Sequence, residues 1–153
     1  MAIMKATFAA GCFWGVEAKF IKVPGVIDTV VGYTGGDVDN PTYKMVCSHK
    51  TGHAEAVQVT YDPDQVSYEA LVRVFFDLHN PTSLNRQGFD IGNQYRSAIF
   101  YHNKEQEQIA RKIVADLEGA SKFRRSIVTE ISPLKEFFRA EEYHQRYYQK
   151  HHR

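Results

Sequence analysis

The sequence predicts an α+β, two-layer sandwich in which helices pack on a largely antiparallel sheet, in a single domain over residues 1–153. Three observations carry that prediction. Two-residue and 3.6-residue hydrophobic periods succeed one another in the order β-α-β-β-α, then, after a loop, β-α-β-α. The runs are cut by turn pairs (Pro24-Gly25, Gly35-Gly36, Asp62-Pro63, Asn80-Pro81), with no linker and no internal repeat. At 153 residues and 43% hydrophobic content, with nine Tyr and ten Phe, the chain fills one core and leaves aromatics over to line a pocket.

Residues 3–10 (IMKATFAA) alternate, with Met4, Ala6, Phe8 and Ala10 on one parity, as a first strand requires. GCFWG ends it, and 13–22 then place Phe13, Val16 and Phe20 at helical spacing, so Cys12 falls at a helix N-terminus. Residues 26–33 read as a second strand with Ile27, Val31 and Tyr33 on one parity, and the polar stretch 37–52 reads as a loop. EAVQVTY (55–61) is a third strand whose parity puts Glu55 with Val57, Val59 and Tyr61. The stripe Tyr68, Leu71, Val72, Phe75, Leu78 predicts a core-facing helix. Residues 82–96 form a long loop, 97–102 a fourth strand, and 104–118 a helix opened by Asn103 and Gln106 as a capping box, with Ile109, Ile113 and Leu117 inward. SIVTEI (126–131) and 139–150 add a C-terminal strand and a polar, Tyr-rich helix. The opening β-α-β-β-α-β is the order of a ferredoxin-like core.

Lys and Arg total 19 against 18 Asp and Glu, so there is no field directed at nucleic acid or membrane; the terminal QKHHR is short enough to be solvated. Two cysteines make no disulfide framework and no zinc spacing, which makes a reducing, cytoplasmic setting the expectation, and since nothing in the sequence demands a partner the expected state is a monomer. The opening MAIMKATFAAGC mimics a lipoprotein cleavage site. Its apolar run of about five residues is short of the roughly 7–15 of a signal peptide.

A lone cysteine is commonly a buried, inert residue. Cys12 differs because a strand-Gly-Cys-helix turn surrounds its sulfur with free N–H groups and the positive helix end, which stabilise a thiolate. An unassisted thiol, with a pKa of about 8.5, is only a few per cent ionised at pH 7. Glu55 is either a solvated strand-end carboxylate or, by its parity, a covered one that burial keeps protonated and able to donate to a leaving oxygen. His53-Ala-Glu55 has the H-x-E shape of zinc deaminases, but the P-C-x-x-C ligands are missing, as is HExxH, and no metal is expected. Tyr33 in GYTGG and Tyr95 in NQYRS lie at strand edges and are core tyrosines or hydroxyl donors; Asp90 alone reads as a turn residue.

Together GCFWG, GYTGG, TGHAEAV with its trailing YDP, and RQGFDIGNQYRS resemble the A class of peptide methionine sulfoxide reductases, from about Ala9 to Gln145. The resemblance implies that Cys12 attacks the sulfoxide sulfur, that Glu55 protonates its oxygen, and that Tyr33 and Tyr95 hydrogen-bond that oxygen. It implies that Phe13 and Trp14 receive the S-methyl group, which aromatic rings favour, and that Asp90 orients Tyr95 or a water. The S epimer would be reduced, free or in oxidised proteins, leaving a sulfenic acid on Cys12, with no metal or organic cofactor.

Many members of that class carry resolving cysteines in a C-terminal tail, and no cysteine follows Cys47 here. Cys47 is a resolver or a bystander, and the reductant is thioredoxin, glutaredoxin or a small thiol. Two other readings stay open: an amidase or peptidase pairing Cys12 with His53, His79 or His144, and a non-catalytic redox-sensing module. His144, in EEYHQ, matches a segment of the same class without a chemical step attached to it, and reads most simply as a surface helix histidine.

Overall fold

A computed structural model describes residues 3–151. The last two residues of QKHHR and the first two of the chain lie outside the described residues. The elements are β1 (Met4–Ala10), α1 (Phe13–Phe20), β2 (Val26–Thr34), α2 (Tyr43–Cys47), β3 (Ala54–Tyr61), α3 (Tyr68–Asp77), β4 (Arg86–Gln87), β5 (Asp90–Ile91), β6 (Ser97–Tyr101), α4 (Lys104–Gly119), β7 (Glu130–Pro133), β8 (Phe137–Arg139) and α5 (Tyr147–His151). Six strands form one sheet in the order β7-β6-β1-β3-β2-β8, antiparallel at every contact except β6 with β7; β4 and β5 make a separate small hairpin.

Alternation decides the two faces. Ala6, Phe8 and Ala10 of β1, Val31 and Tyr33 of β2, Val57, Val59 and Tyr61 of β3, and Ile99 of β6 face the helices, where they meet Phe13, Val16 and Phe20 of α1, Leu71 and Phe75 of α3 and Ile113 of α4. Phe8 is the hub, with its ring 5.0 Å from Phe20 and 5.4 Å from Phe75. Truncating such a ring to alanine costs about 3–5 kcal/mol. The opposite face is lined by small residues, Ala9, Ala54, Ala56 and Ala98, beside Phe100, and is covered by Leu134 and Phe137.

Caps set several helix boundaries. Thr42, Ser67 and Asn103 each accept the N–H three residues on, from Met45, Ala70 and Gln106. The reciprocal half of the expected box is displaced by one residue: Gln106 Oε1 accepts from His102 N, while its amide donates to Lys5 O and ties α4 to β1.

Several expectations are corrected. The loop 37–52 contains α2, and the loop 82–96 contains β4, β5 and a 3₁₀ turn over Asn93–Tyr95. α1 stops at Phe20, not at 22. Ile27 is exposed because β2 bulges between Val26 and Asp28, which takes it out of the alternation. The strand read at 126–131 runs instead over Glu130–Pro133, since Ile127 N goes to the Glu118 carboxylate and Val128 N to Pro81 O. The single helix over 139–150 is replaced by the end of β8, a 3₁₀ turn at Glu142–His144 and α5. The helix is broken at Arg146, whose φ is +52° and whose N–H donates to the buried Glu17 carboxylate at 2.8 Å. Two C-terminal strands, not one, flank the core, and β8 closes the β2 edge.

Candidate active site

β1 ends at Ala10, and the chain turns into α1 through Gly11, whose φ of +101° suits a residue without a side chain. A Cβ there would also press on Gln87 of β4, 3.0 Å away. Cys12 is the half-buried N-cap residue of α1 and the free N–H groups of Trp14 and Gly15 lie against its sulfur. Those N–H groups favour the thiolate, as the sequence leads one to expect, but they are outweighed. Burial and then the neighbouring Glu55 push the thiol up to about 11, so Cys12 rests as a thiol and not as a stabilised thiolate.

Glu55 sits directly opposite Tyr33 in the β2–β3 ladder, so both side chains share the face that α1 covers. The carboxyl is 1% exposed. Oε1 accepts the N–H of Phe13 at 3.1 Å, and buried Oε2 has no protein partner. Burial, with a smaller push from Asp90, raises the group to about 8 against the pull of the Phe13 N–H. At neutral pH Glu55 is therefore a carboxylic acid. With Oε1 accepting, Oε2 is the oxygen left to carry that proton, and the N–H that holds the carboxyl belongs to the residue after Cys12.

Tyr33 is fully buried, and its hydroxyl donates to Glu141 Oε1 at 2.9 Å. Glu141 Oε2 accepts from the Tyr43 N–H at 2.9 Å, so one carboxylate joins β2, the start of α2 and the C-terminal segment. Burial pushes Glu141 up, but the N–H groups of Tyr43 and Glu141 and the Tyr33 hydroxyl together hold it below the ordinary carboxylate range. Burial, then Glu141, keeps the Tyr33 phenol protonated. Its single proton is directed at Glu141, so a bond from Tyr33 to another oxygen requires that proton to turn.

Tyr95, on the 3₁₀ turn, is half-buried, and burial followed by the nearby Glu55 raises it to about 12. The charges of Cys47, Asp90 and Cys12 act on its hydroxyl in the same direction. The turn is held by Arg96, bonded to Asn93 O and Glu130, and by Gln94, bonded to His49 at 2.7 Å. Asp90, on β5, is exposed; its charge reaches Cys12, Glu55 and Tyr95, and no hydrogen bond joins it to Tyr95. Cys47, at the end of α2, is half-buried and raised by burial, while the Tyr43 hydroxyl pulls the other way.

Phe13 is 1% exposed and packs on Tyr33 and His144, so it backs the wall of the site. Trp14 is half-buried, its Nε1–H donates to His144 Nδ1 at 2.9 Å, and its ring stacks 3.7 Å from Tyr147. Because Nδ1 accepts, the His144 proton is on Nε2, and burial keeps the ring neutral. Sequence reading missed Glu141 and Tyr147, and His144, expected as a surface helix histidine, is instead fully buried on the 3₁₀ turn; the EEYHQ cluster was the available signal.

The three histidines that a Cys-His hydrolase would need are engaged elsewhere. His53 contacts Gly36 N and Val38 O, His79 contacts Phe75 O and Ser97 Oγ, and His144 contacts Trp14. Gly36 itself allows that approach, since a Cβ there would overlap the Thr51 carbonyl and the His53 nitrogen. Among the described residues no group of three or more His, Cys, Asp or Glu is placed to hold a metal ion.

Comparison with known proteins gives one answer. The family described as peptide methionine sulfoxide reductase matches residues 4–153. The peptide methionine sulfoxide reductase MsrA of Methanoculleus marisnigri is 59% identical over 149 residues, covering 97% of this chain and 91% of its own length. Among solved structures, reduced Mxr1 from Saccharomyces cerevisiae superimposes with a TM-score of 0.91 at 38% identity, covering 97% of this chain and 85% of that one. Mxr1 in complex with Trx2 superimposes at 0.68 and 29% identity, covering 95% and 84%.

Proposed function

The chain belongs to the peptide methionine sulfoxide reductase family, and from that premise we propose that Cys12 is its nucleophile and Glu55 its proton donor. The protein is an oxidoreductase that reduces methionine sulfoxide with electrons from thiols. The observation that carries the assignment of roles is the buried, protonated Glu55, held by the Phe13 N–H beside Cys12.

In this reading the sulfoxide sulfur approaches Cys12 with its methyl group against Trp14, backed by Phe13, and its oxygen toward Glu55 Oε2 and the Tyr95 hydroxyl. Cys12 sulfur attacks, Glu55 gives its proton to the oxygen, and the thiol proton replaces it on Glu55. The attack joins the Cys12 sulfur to the sulfoxide sulfur; transfer of the hydroxyl so formed to the Cys12 sulfur then breaks both the substrate S–O bond and that S–S bond, which releases methionine and leaves a sulfenic acid. Two electrons pass from the cysteine sulfur to the sulfoxide. Tyr33 joins the oxygen only if its proton turns from Glu141, so its first role is to be held there. Asp90 acts through its charge, which favours the protonated forms of Glu55 and Cys12.

A second thiol then attacks the sulfenic sulfur, water leaves, and a further thiol frees Cys12 from the disulfide. The electrons are assigned to an external thiol, with Cys47 as a bystander whose thiol burial keeps protonated; a thioredoxin is favoured because the relative Mxr1 has been solved with Trx2. Glutaredoxin or a small thiol would serve the same chemistry. The chemistry requires no metal or organic cofactor, and the S epimer rests on the family resemblance. A cytoplasmic monomer without nucleic-acid or membrane partners fits the near-zero net charge. Among the described residues no helix is long and apolar enough to cross a membrane. A ferredoxin-like core is supported by the strand order β6-β1-β3-β2 with antiparallel neighbours.

The test is a single turnover of reduced enzyme with separated S and R epimers of a blocked methionine sulfoxide, counting methionine and remaining thiols. About one methionine per enzyme from the S epimer, with sulfenic acid trapped on Cys12, is expected. Methionine from neither epimer overturns the assignment.

A further inference from the structure

The three most exposed large apolar side chains among the described residues are Phe89 at 101%, Leu84 at 68% and Ile91 at 63%. They fall within eight consecutive residues, on or beside the β4–β5 hairpin, and belong to neither hydrophobic core. Scattered exposed apolar residues need no explanation, but three together at the rim of a reactive site do.

The hairpin register shows how they are presented. Gln87 pairs with Asp90 and Arg86 with Ile91, and cross-strand partners share a face. The Gln87 side chain packs at Gly11, so its face, with Asp90, is turned to the Cys12 turn; Ile91 is on the outward face. Phe89 is at the tip, next to Asp90 in the chain. The hairpin is fixed in place, because the Gln87 amide exchanges two hydrogen bonds with Asn80, accepting from its N at 3.0 Å and donating to its O at 2.7 Å. The apolar rim is therefore joined through Gln87 to the turn that bears the nucleophile, and its three side chains are spare of both hydrophobic cores.

We propose that Leu84, Phe89 and Ile91 form a docking rim for the polypeptide on either side of an oxidised methionine, selecting segments rich in apolar residues. The proposal rests on the reading of Cys12 as the nucleophile, which fixes where the sulfoxide must sit and hence where its neighbours in the chain must pass. The chemistry of the substrate supplies the complement. Methionine is mostly an interior residue surrounded by apolar neighbours, and oxidation to the polar sulfoxide disrupts that packing and brings the segment out. A ring such as that of Phe89 offers a large contact area with few torsions to order.

The experiment uses the whole chain with saturating dithiothreitol as reductant and three substrates. These are a blocked methionine sulfoxide, a nonapeptide with one central methionine sulfoxide flanked by Leu and Val, and its counterpart flanked by Gly and Ser. Leu84→Ser and Phe89→Ser are surface changes, read beside a thermal melt. Each is expected to lower kcat/KM for the apolar peptide by about fivefold to tenfold, through KM. The Gly/Ser peptide and the blocked amino acid should be unchanged. Equal kcat/KM of the parent enzyme for the two peptides overturns the proposal, as does an equal loss on all three substrates. So does a loss seen only when a thioredoxin replaces dithiothreitol, or a change only in self-association, which would give the rim to the reductant or to a second copy. Failure on the blocked amino acid by the parent enzyme would instead count against the reading of Cys12.

Discussion

Replacing Glu55 by Gln removes a transferable proton while keeping the shape and the oxygen that accepts the Phe13 N–H. With Glu55 raised to about 8, about 90% of the molecules hold the acid form at pH 7 and about 10% at pH 9. General acid catalysis contributes about 10²–10⁴-fold, or roughly 3–5 kcal/mol of barrier. Glu55→Gln should therefore lower the rate of methionine formation in a rapid-mix single turnover by that factor, with substrate binding little changed. The parent enzyme should show a rate that is level below pH 8 and falls about tenfold per unit above it, because the reacting form carries both protons. That falling limb should vanish in the variant. The same change removes the charge that, after burial, opposes the Cys12 thiolate, so alkylation of Cys12 by iodoacetamide near pH 9 should become several-fold faster. A variant within about threefold of the parent rate, or one that keeps the limb near pH 8, would refute the role of Glu55 as the acid.

Cys47→Ser should turn over with dithiothreitol within about twofold of the parent, and the parent should lose one thiol per methionine formed; two lost thiols would make Cys47 the resolver. Gly36→Ala forces a methyl group into the Thr51 carbonyl and the His53 nitrogen and should cost about 2–4 kcal/mol in urea unfolding. His79 is lowered from 6.5 to about 4 by burial, against the pull of the Phe75 carbonyl, so the fold favours its neutral form. That contribution is complete above pH 6.5 and is lost as pH falls through 4, up to about 3 kcal/mol; His79→Gln should flatten the acid limb of stability. His144→Phe keeps a ring but leaves Trp14 Nε1–H without its acceptor, and should raise KM for methionine sulfoxide more than it lowers kcat.

The parts legible in the sequence were those where one local period agreed with the packing. The alternation of β1 and β3, the stripes of α3 and α4, and the strand-Gly-Cys-helix turn are each set by a few neighbouring residues. Tertiary partners decided the rest. α2 is five residues long, too short to stand by its own propensity, and is held by Thr42 and by Glu141 on the Tyr43 N–H. The β-forming SIVT stretch gives its N–H groups to Glu118 and Pro81 instead of a strand. The helix-like spacing after Arg139 yields to Glu17, whose carboxylate captures the Arg146 N–H. Within the site, Cys12, Glu55, Tyr33, Tyr95, Asp90, Phe13, Trp14 and Cys47 could be named as candidates. That the Tyr33 proton points to Glu141, and that the thiol rests protonated, depended on partners roughly a hundred residues away and on burial.

β1 is the first strand of the chain and lies inside the sheet, between β3 and β6, while the acceptor for Trp14 is 130 residues further on. During synthesis at about 5–20 residues per second, the cysteine is in existence for roughly 7–26 seconds before its aromatic wall can form. Throughout that interval the sulfur has the reactivity of an ordinary exposed thiol, more easily ionised than in the finished molecule. Folding thus leaves this thiol harder to ionise than it was in the nascent polypeptide.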